Sequence, residues 1–94
     1  MNWYKNSQVY EYGYHGTDHT QIENIMTNGL NIGTFFASNE DDISSYVDDV
    51  WIRFPFPNNF KKVIGRGDYY TTLEIVPPQS IEIKTNIWGE YSKL

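Results

Sequence analysis

The segment Tyr14-His15-Gly16-Thr17, with Gly33-Thr34-Phe35-Phe36-Ala37 and then Tyr46 downstream, decides how the rest of this chain is read. Val9 to Tyr14 is rich in tyrosine and predicts a strand, with Gly13 as a bulge or a point of close approach. Asp18 followed by Gln21 has the form of a capping box, so a helix follows. Ile22, Ile25 and Met26 fall on one face of that helix, and Asn28-Gly29 stops it. Thr34 to Ala37 is a brief strand. Ser38 with Asp41 opens a second helix, where Asp41 and Asp42 suit the positive end of the helix dipole. That helix places Ile43, Tyr46 and Val47 on one side.

Further along, Val50 to Phe54 predicts a strand ended by Pro55 and Pro57. Asn58 to Gly67 carries Lys61, Lys62 and Arg66 and reads as a loop. Tyr69 to Val76 is a strand by its β-branched and aromatic content, broken by Pro77-Pro78. Ser80 to Lys84 alternates Ile81 and Ile83 with polar neighbours and forms a last short strand. The expectation is one α+β domain spanning 1–94, a mostly antiparallel or mixed sheet with two short helices in the N-terminal half.

Composition bounds the function. At 94 residues there is room for one core, and the 17% aromatic content lets a short chain bury large areas. The absence of cysteine excludes disulfides and thiolate metal sites. No charged-then-apolar leader and no membrane-length apolar run stands in the sequence, so a soluble cytoplasmic protein without membrane contact is expected. A net charge of −5 argues against direct nucleic-acid binding through phosphate neutralisation. His15 and His19 are four apart, but Gly16 disfavours a helix there and no metalloprotease-type Glu follows His15, so no metal site is expected. Neither a nucleophile-elbow Gly-x-Ser-x-Gly nor a P-loop is found.

The ordered set His15-Gly16-Thr17, helix, glycine turn, Phe35-Phe36-Ala37, and Tyr46 eleven positions after Phe35 resembles the ADP-ribosyltransferase superfamily. The resemblance is to the branch that includes poly(ADP-ribose) polymerases, and Tyr14 to Tyr46 also looks like small phage-encoded anti-CRISPR ADP-ribosyltransferases. It covers roughly half of the chain and is looser over Gly67 to Ile83. It implies NAD as cosubstrate and transfer of ADP-ribose to a host macromolecule, most simply a protein, by a phage or bacterial effector. It further implies that His15 hydrogen-bonds the nicotinamide ribose, that the Gly16 backbone reads the carboxamide beside Thr17, and that Tyr46 stacks on the nicotinamide. Phe35 or Phe36 closes the opposite side. The third family residue is an acid at the front of a later strand, which maps to Asp68, with Glu74 and Glu82 as alternatives.

Other readings stand beside this one. His15 also fits a half-buried strand-end histidine bonded to backbone, and Phe35, Phe36 and Tyr46 fit ordinary core spacing. Lys61, Lys62 and Arg66 either meet a pyrophosphate or solvate a loop. The chain is shorter than most catalytic members of the family, which motivates an inactive binding module on the same fold. Glu40, Asp41, Asp42, Asp48 and Asp49 fall within ten residues and motivate an acidic protein competing with nucleic acid for a basic host enzyme. Ile87, Trp88 and Tyr91 either pack back on the sheet or form a partner surface.

Overall fold

The computed structural model describes residues 10–63, 65 and 69–94, with the side chain of Tyr46 left out of the description. Its centre is β1 (Tyr12–Thr17), which pairs antiparallel with β3 (Val50–Pro55) along its whole length, from Tyr12↔Pro55 to Thr17↔Val50. The strand therefore carries His15-Gly16-Thr17 inside it, further along the chain than the tyrosine run implied; Val9 lies outside the described residues. Gly13 makes no bulge in this register. It is a close-approach point, because a Cβ there would sit 2.8 Å from both Phe36 Cδ2 and Phe54 Cε2.

Around β1 the strands β2 (Phe35–Ala37), β4 (Phe60–Lys62), β5 (Tyr69–Thr72), β6 (Glu82–Lys84) and β7 (Ser92–Lys93) complete one sheet. The order is β4-β5-β2-β1-β3-β6-β7, and every pairing is antiparallel. One face is the apolar core, where Phe36, Ile52, Phe54 and Tyr70 gather with Val50 and Ile81. The helix α1 (Ile22–Asn28) adds Ile25 to that cluster. Asp18 caps the 3-10 turn His19–Gln21 that leads into α1, its carboxylate accepting from the Thr20 amide at 2.9 Å.

Four local expectations change. The second helix is a 3-10 segment, Glu40–Tyr46, preceded by Asn39 without a side-chain cap; Ser38 is buried before it. Three tertiary bonds hold that segment: Glu40 accepts from Lys84 and from the Tyr91 hydroxyl, and the Asp42 carbonyl accepts from the Tyr69 hydroxyl. An α-helix would use that carbonyl for the amide four residues on. Secondly, the expected loop 58–67 contains the edge strand β4, because Phe60 packs edge-on against Phe56 and Tyr70. Thirdly, the strand from Tyr69 ends at Thr72; Val76 meets Leu30 in an isolated bridge instead. Fourthly, the stretch from Ser80 begins as the 3-10 turn Pro78–Ser80 and becomes strand only at Glu82.

Gly29 closes α1 at φ 72, donating its amide to the Ile25 carbonyl at 2.8 Å, and a Cβ there would run into the Val76 carbonyl oxygen. Gly33 also has positive φ, at 91, but faces open space. Alanine at Gly29 adds a backbone clash to strain and should cost about 3 kcal/mol, whereas at Gly33 only the strain of about 1 kcal/mol remains. Urea unfolding of the two variants checks that ordering.

Candidate functional site

The pairing of β1 with β2 stops at the single pair Tyr14↔Ala37. Beyond it the two strands diverge and a recess of about 440 Å³ opens between them. Its floor is His15, Gly16, Phe35 and Phe36. Ile43 of the 3-10 segment, Val63 after β4 and Tyr69 of β5 form its walls.

His15 is the titratable group of the floor. Its Nδ1 lies 2.7 Å from the Phe35 carbonyl oxygen, which only accepts, so Nδ1 carries the proton and Nε2 is an acceptor. No partner for Nε2 exists among the described residues. Burial lowers the His15 pKa below its ordinary 6.5, and the bond to Phe35 opposes that only in part. The ring is therefore neutral at neutral pH. The Phe56 amide bonds the Glu11 carbonyl across to β3, so by the alternation of an antiparallel ladder Tyr14 and Gly16 turn their amides and carbonyls toward β2. Where β2 has departed, that side of Gly16 is the recess.

The recess brings together His15, Gly16, Phe35 and Phe36 of the residues expected from sequence. Phe36 is a core residue, 1% exposed, whereas Phe35 is 61% exposed. Thr17 pairs with Val50 and does not line the recess. Tyr46 ends the same 3-10 segment that contributes Ile43. Asp68 lies outside the described residues, next in sequence to the wall residue Tyr69. Neither alternative acid lines the recess: Glu74 follows β5 and accepts from Asn59 at 2.7 Å, and Glu82 accepts from Arg53 at 2.6 Å. Ile43, Val63 and Tyr69 were missed in the sequence. Tyr69 was the findable one, since period-two alternation with Thr71 and pairing to Ala37 place it beside β2.

The two histidines have separate partners. His19 meets Asp49 twice, through its amide to Oδ1 and through Nδ1 to Oδ2, each at 2.8 Å. The hydrogen bond and charge of Asp49 raise the His19 pKa. Among the described residues no three His, Cys, Asp or Glu side chains gather as a metal-holding group, and no helix is long and apolar enough to cross a membrane. Comparison of the chain with protein families, curated proteins and solved structures returned no match.

The histidines couple to stability with opposite signs. His15, with its folded pKa lowered, contributes stability that is full above 6.5 and lost as pH falls toward the folded value. His19, with its pKa raised, contributes stability that is full below 6.5 and lost as pH rises through the folded value. Imidazole proton NMR should show one titration on each side of 6.5, and Asp49→Asn should bring the upper one down while leaving the lower one in place.

Proposed function

We propose that this recess takes the nicotinamide end of NAD and that the chain transfers ADP-ribose from it to a macromolecular acceptor, most simply a protein. The observation that carries the reading is the state of His15: anchored through Nδ1, neutral, and presenting Nε2 as an acceptor beside Gly16 in a mainly apolar recess. A ribose hydroxyl is a fitting donor to Nε2, and the exposed Phe35 offers aromatic surface to a flat ring. The order of His15, Phe35-Phe36-Ala37 and Tyr46 in the sequence agrees with this use.

In the reaction the bond between the nicotinamide nitrogen and the ribose C1′ breaks, its electron pair leaving with nicotinamide. The acceptor's nucleophilic atom then bonds to C1′ and gives up its proton. A neutral His15 orients the ribose but brings no charge to the oxocarbenium-like carbon. A carboxylate must stabilise that charge, and Asp68 is the residue we assign to it. A binding module without turnover is the second reading, motivated by the alternative acids Glu74 and Glu82 being bonded to Asn59 and Arg53 rather than lining the recess. The acidic-surface reading is weakened by internal pairing, since Glu40 is held by Lys84 and Asp49 by His19.

Labelled NAD incubated with host lysate and wild-type protein should mark a discrete acceptor, and His15→Ala and Asp68→Ala should each lower that labelling by roughly a hundredfold. NAD binding that depends on His15, without labelling, would establish the binding module. Neither binding nor labelling would sink both readings of the recess.

A further inference from the structure

Beyond Phe35 a second, shallower recess of about 340 Å³ continues across the sheet toward its β4 edge. It shares Phe35 and Val63 with the first and adds Lys61, Lys62 and Thr71. The register explains the arrangement. Phe35 pairs with Thr71 and Thr71 with Lys61, so an exposed ring, a hydroxyl and an ammonium stand in one cross-strand row on the same face.

Among the described residues the other cations are engaged. Arg53 is bonded to Glu82, Lys84 to Glu40, and Lys93 to the Gln79 carbonyl. Lys61 and Lys62 alone have no hydrogen-bond or ion-pair partner among those residues, although the whole chain carries a net −5. Lysines on an edge strand also discourage strand addition. That role does not account for a phenyl ring 61% exposed between them and the His15 recess.

We infer that the second recess seats the pyrophosphate of a dinucleotide, with Lys61 as the cation in the Phe35–Thr71 row, Lys62, which pairs with Tyr70 and springs from the opposite face, as a second cation at the β4 edge, and Phe35 as the apolar partition between phosphates and nicotinamide. The inference rests on the NAD reading above and deepens it: the paired recesses select a ligand that is a flat aromatic ring in one part and doubly anionic in the next. Lysine suits this as a point charge to phosphate oxygens, and Thr71 supplies a hydroxyl donor in the same row. Phe35 serves both halves, its carbonyl fixing His15 and its side chain walling the phosphate recess.

Calorimetric titration of the full chain with NAD, ADP-ribose and nicotinamide riboside tests this. Wild type, the double variant Lys61→Gln/Lys62→Gln, the single variant Lys61→Gln, His15→Ala and a single-charge control outside the recess, Lys93→Gln, are compared at two salt concentrations. The double variant should weaken NAD and ADP-ribose by on the order of tenfold or more and flatten their salt dependence, while leaving nicotinamide riboside unchanged. Equal losses in the single variant Lys61→Gln and in Lys93→Gln overturn the inference, as does failure of wild type to bind ADP-ribose. NAD binding that needs His15 but ignores both lysines rejects the phosphate recess and keeps the nicotinamide reading. ADP-ribose binding that needs the lysines, without any effect of His15→Ala on NAD, does the reverse.

Discussion

The structure depends on β1 being bare at one position on each face, Gly13 and Gly16. On the core face Gly13 lets the rings of Phe36 and Phe54 close over the strand, edge to face, with centroids 5.5 Å apart. On the other face Gly16 lets Val47 rest on the backbone; a Cβ there would stand 2.5 Å from Val47 Cγ2. Val47 follows the 3-10 segment, so this contact sets how near Ile43 comes to β1. His15 lies between the two glycines, on the strand that both contacts hold in place. A side chain at 13 would open the core and one at 16 would lift the wall of the recess, two different failures from substitutions three residues apart.

The face opposite the core is secured by charge and aromatic rings rather than by apolar burial. The Arg53 guanidinium lies 4.4 Å from the ring centroids of both Tyr12 and Tyr91 while its Nε donates to Glu82. Lys84, only 8% exposed, donates to Glu40 and to the Ile87 carbonyl, and the Tyr91 hydroxyl donates to the other Glu40 oxygen at 2.8 Å. Burial opposes ionisation of Glu40, and these hydrogen bonds outweigh it, so its carboxyl stays below the ordinary range. A partly buried pair of this kind gains little net stability, because desolvation offsets attraction. Its effect is positional: it ties the 3-10 segment to β6 across the width of β1 and β3. It also brings Tyr91 back onto the sheet, whereas Trp88 is 88% exposed.

Local signals in the sequence carried the parts of the fold that local physics decides. The Asp18 cap, the Gly29 stop and the strand at Val50 each follow from one or two residues, and each is present. What the sequence concealed depends on partners distant along the chain. Nothing in Phe60-Lys61-Lys62 alternates as a strand should, since its pairing is to Tyr70–Thr72 and its support is a cluster of rings. The acids at 40–42 look like a helix N-terminus until Lys84 and Tyr69, far downstream, take up Glu40 and the Asp42 carbonyl. Likewise the recess residues on β1 and β2 were legible as a motif, whereas Ile43 and Val63 enter only through tertiary placement.

The recess itself comes from an interrupted ladder. After Tyr14↔Ala37 the sheet gives up backbone pairing between β1 and β2, and a side chain takes over part of that role through the bond from His15 to the Phe35 carbonyl. The substitution has a chemical consequence. An imidazole whose Nδ1 proton is committed to structure, and whose burial disfavours a second proton, works at neutral pH as an acceptor and a positioner. It is poorly suited to act as an acid or to supply charge. Ligand orientation and charge stabilisation must then reside on different residues, so on the NAD reading affinity belongs to His15 and its strand while turnover belongs to a carboxylate brought up to the recess. A fold arranged this way can lose its carboxylate and keep its ligand. On that reading transfer depends on a carboxylate, assigned to Asp68, which precedes Tyr69 in sequence, and binding alone does not need it.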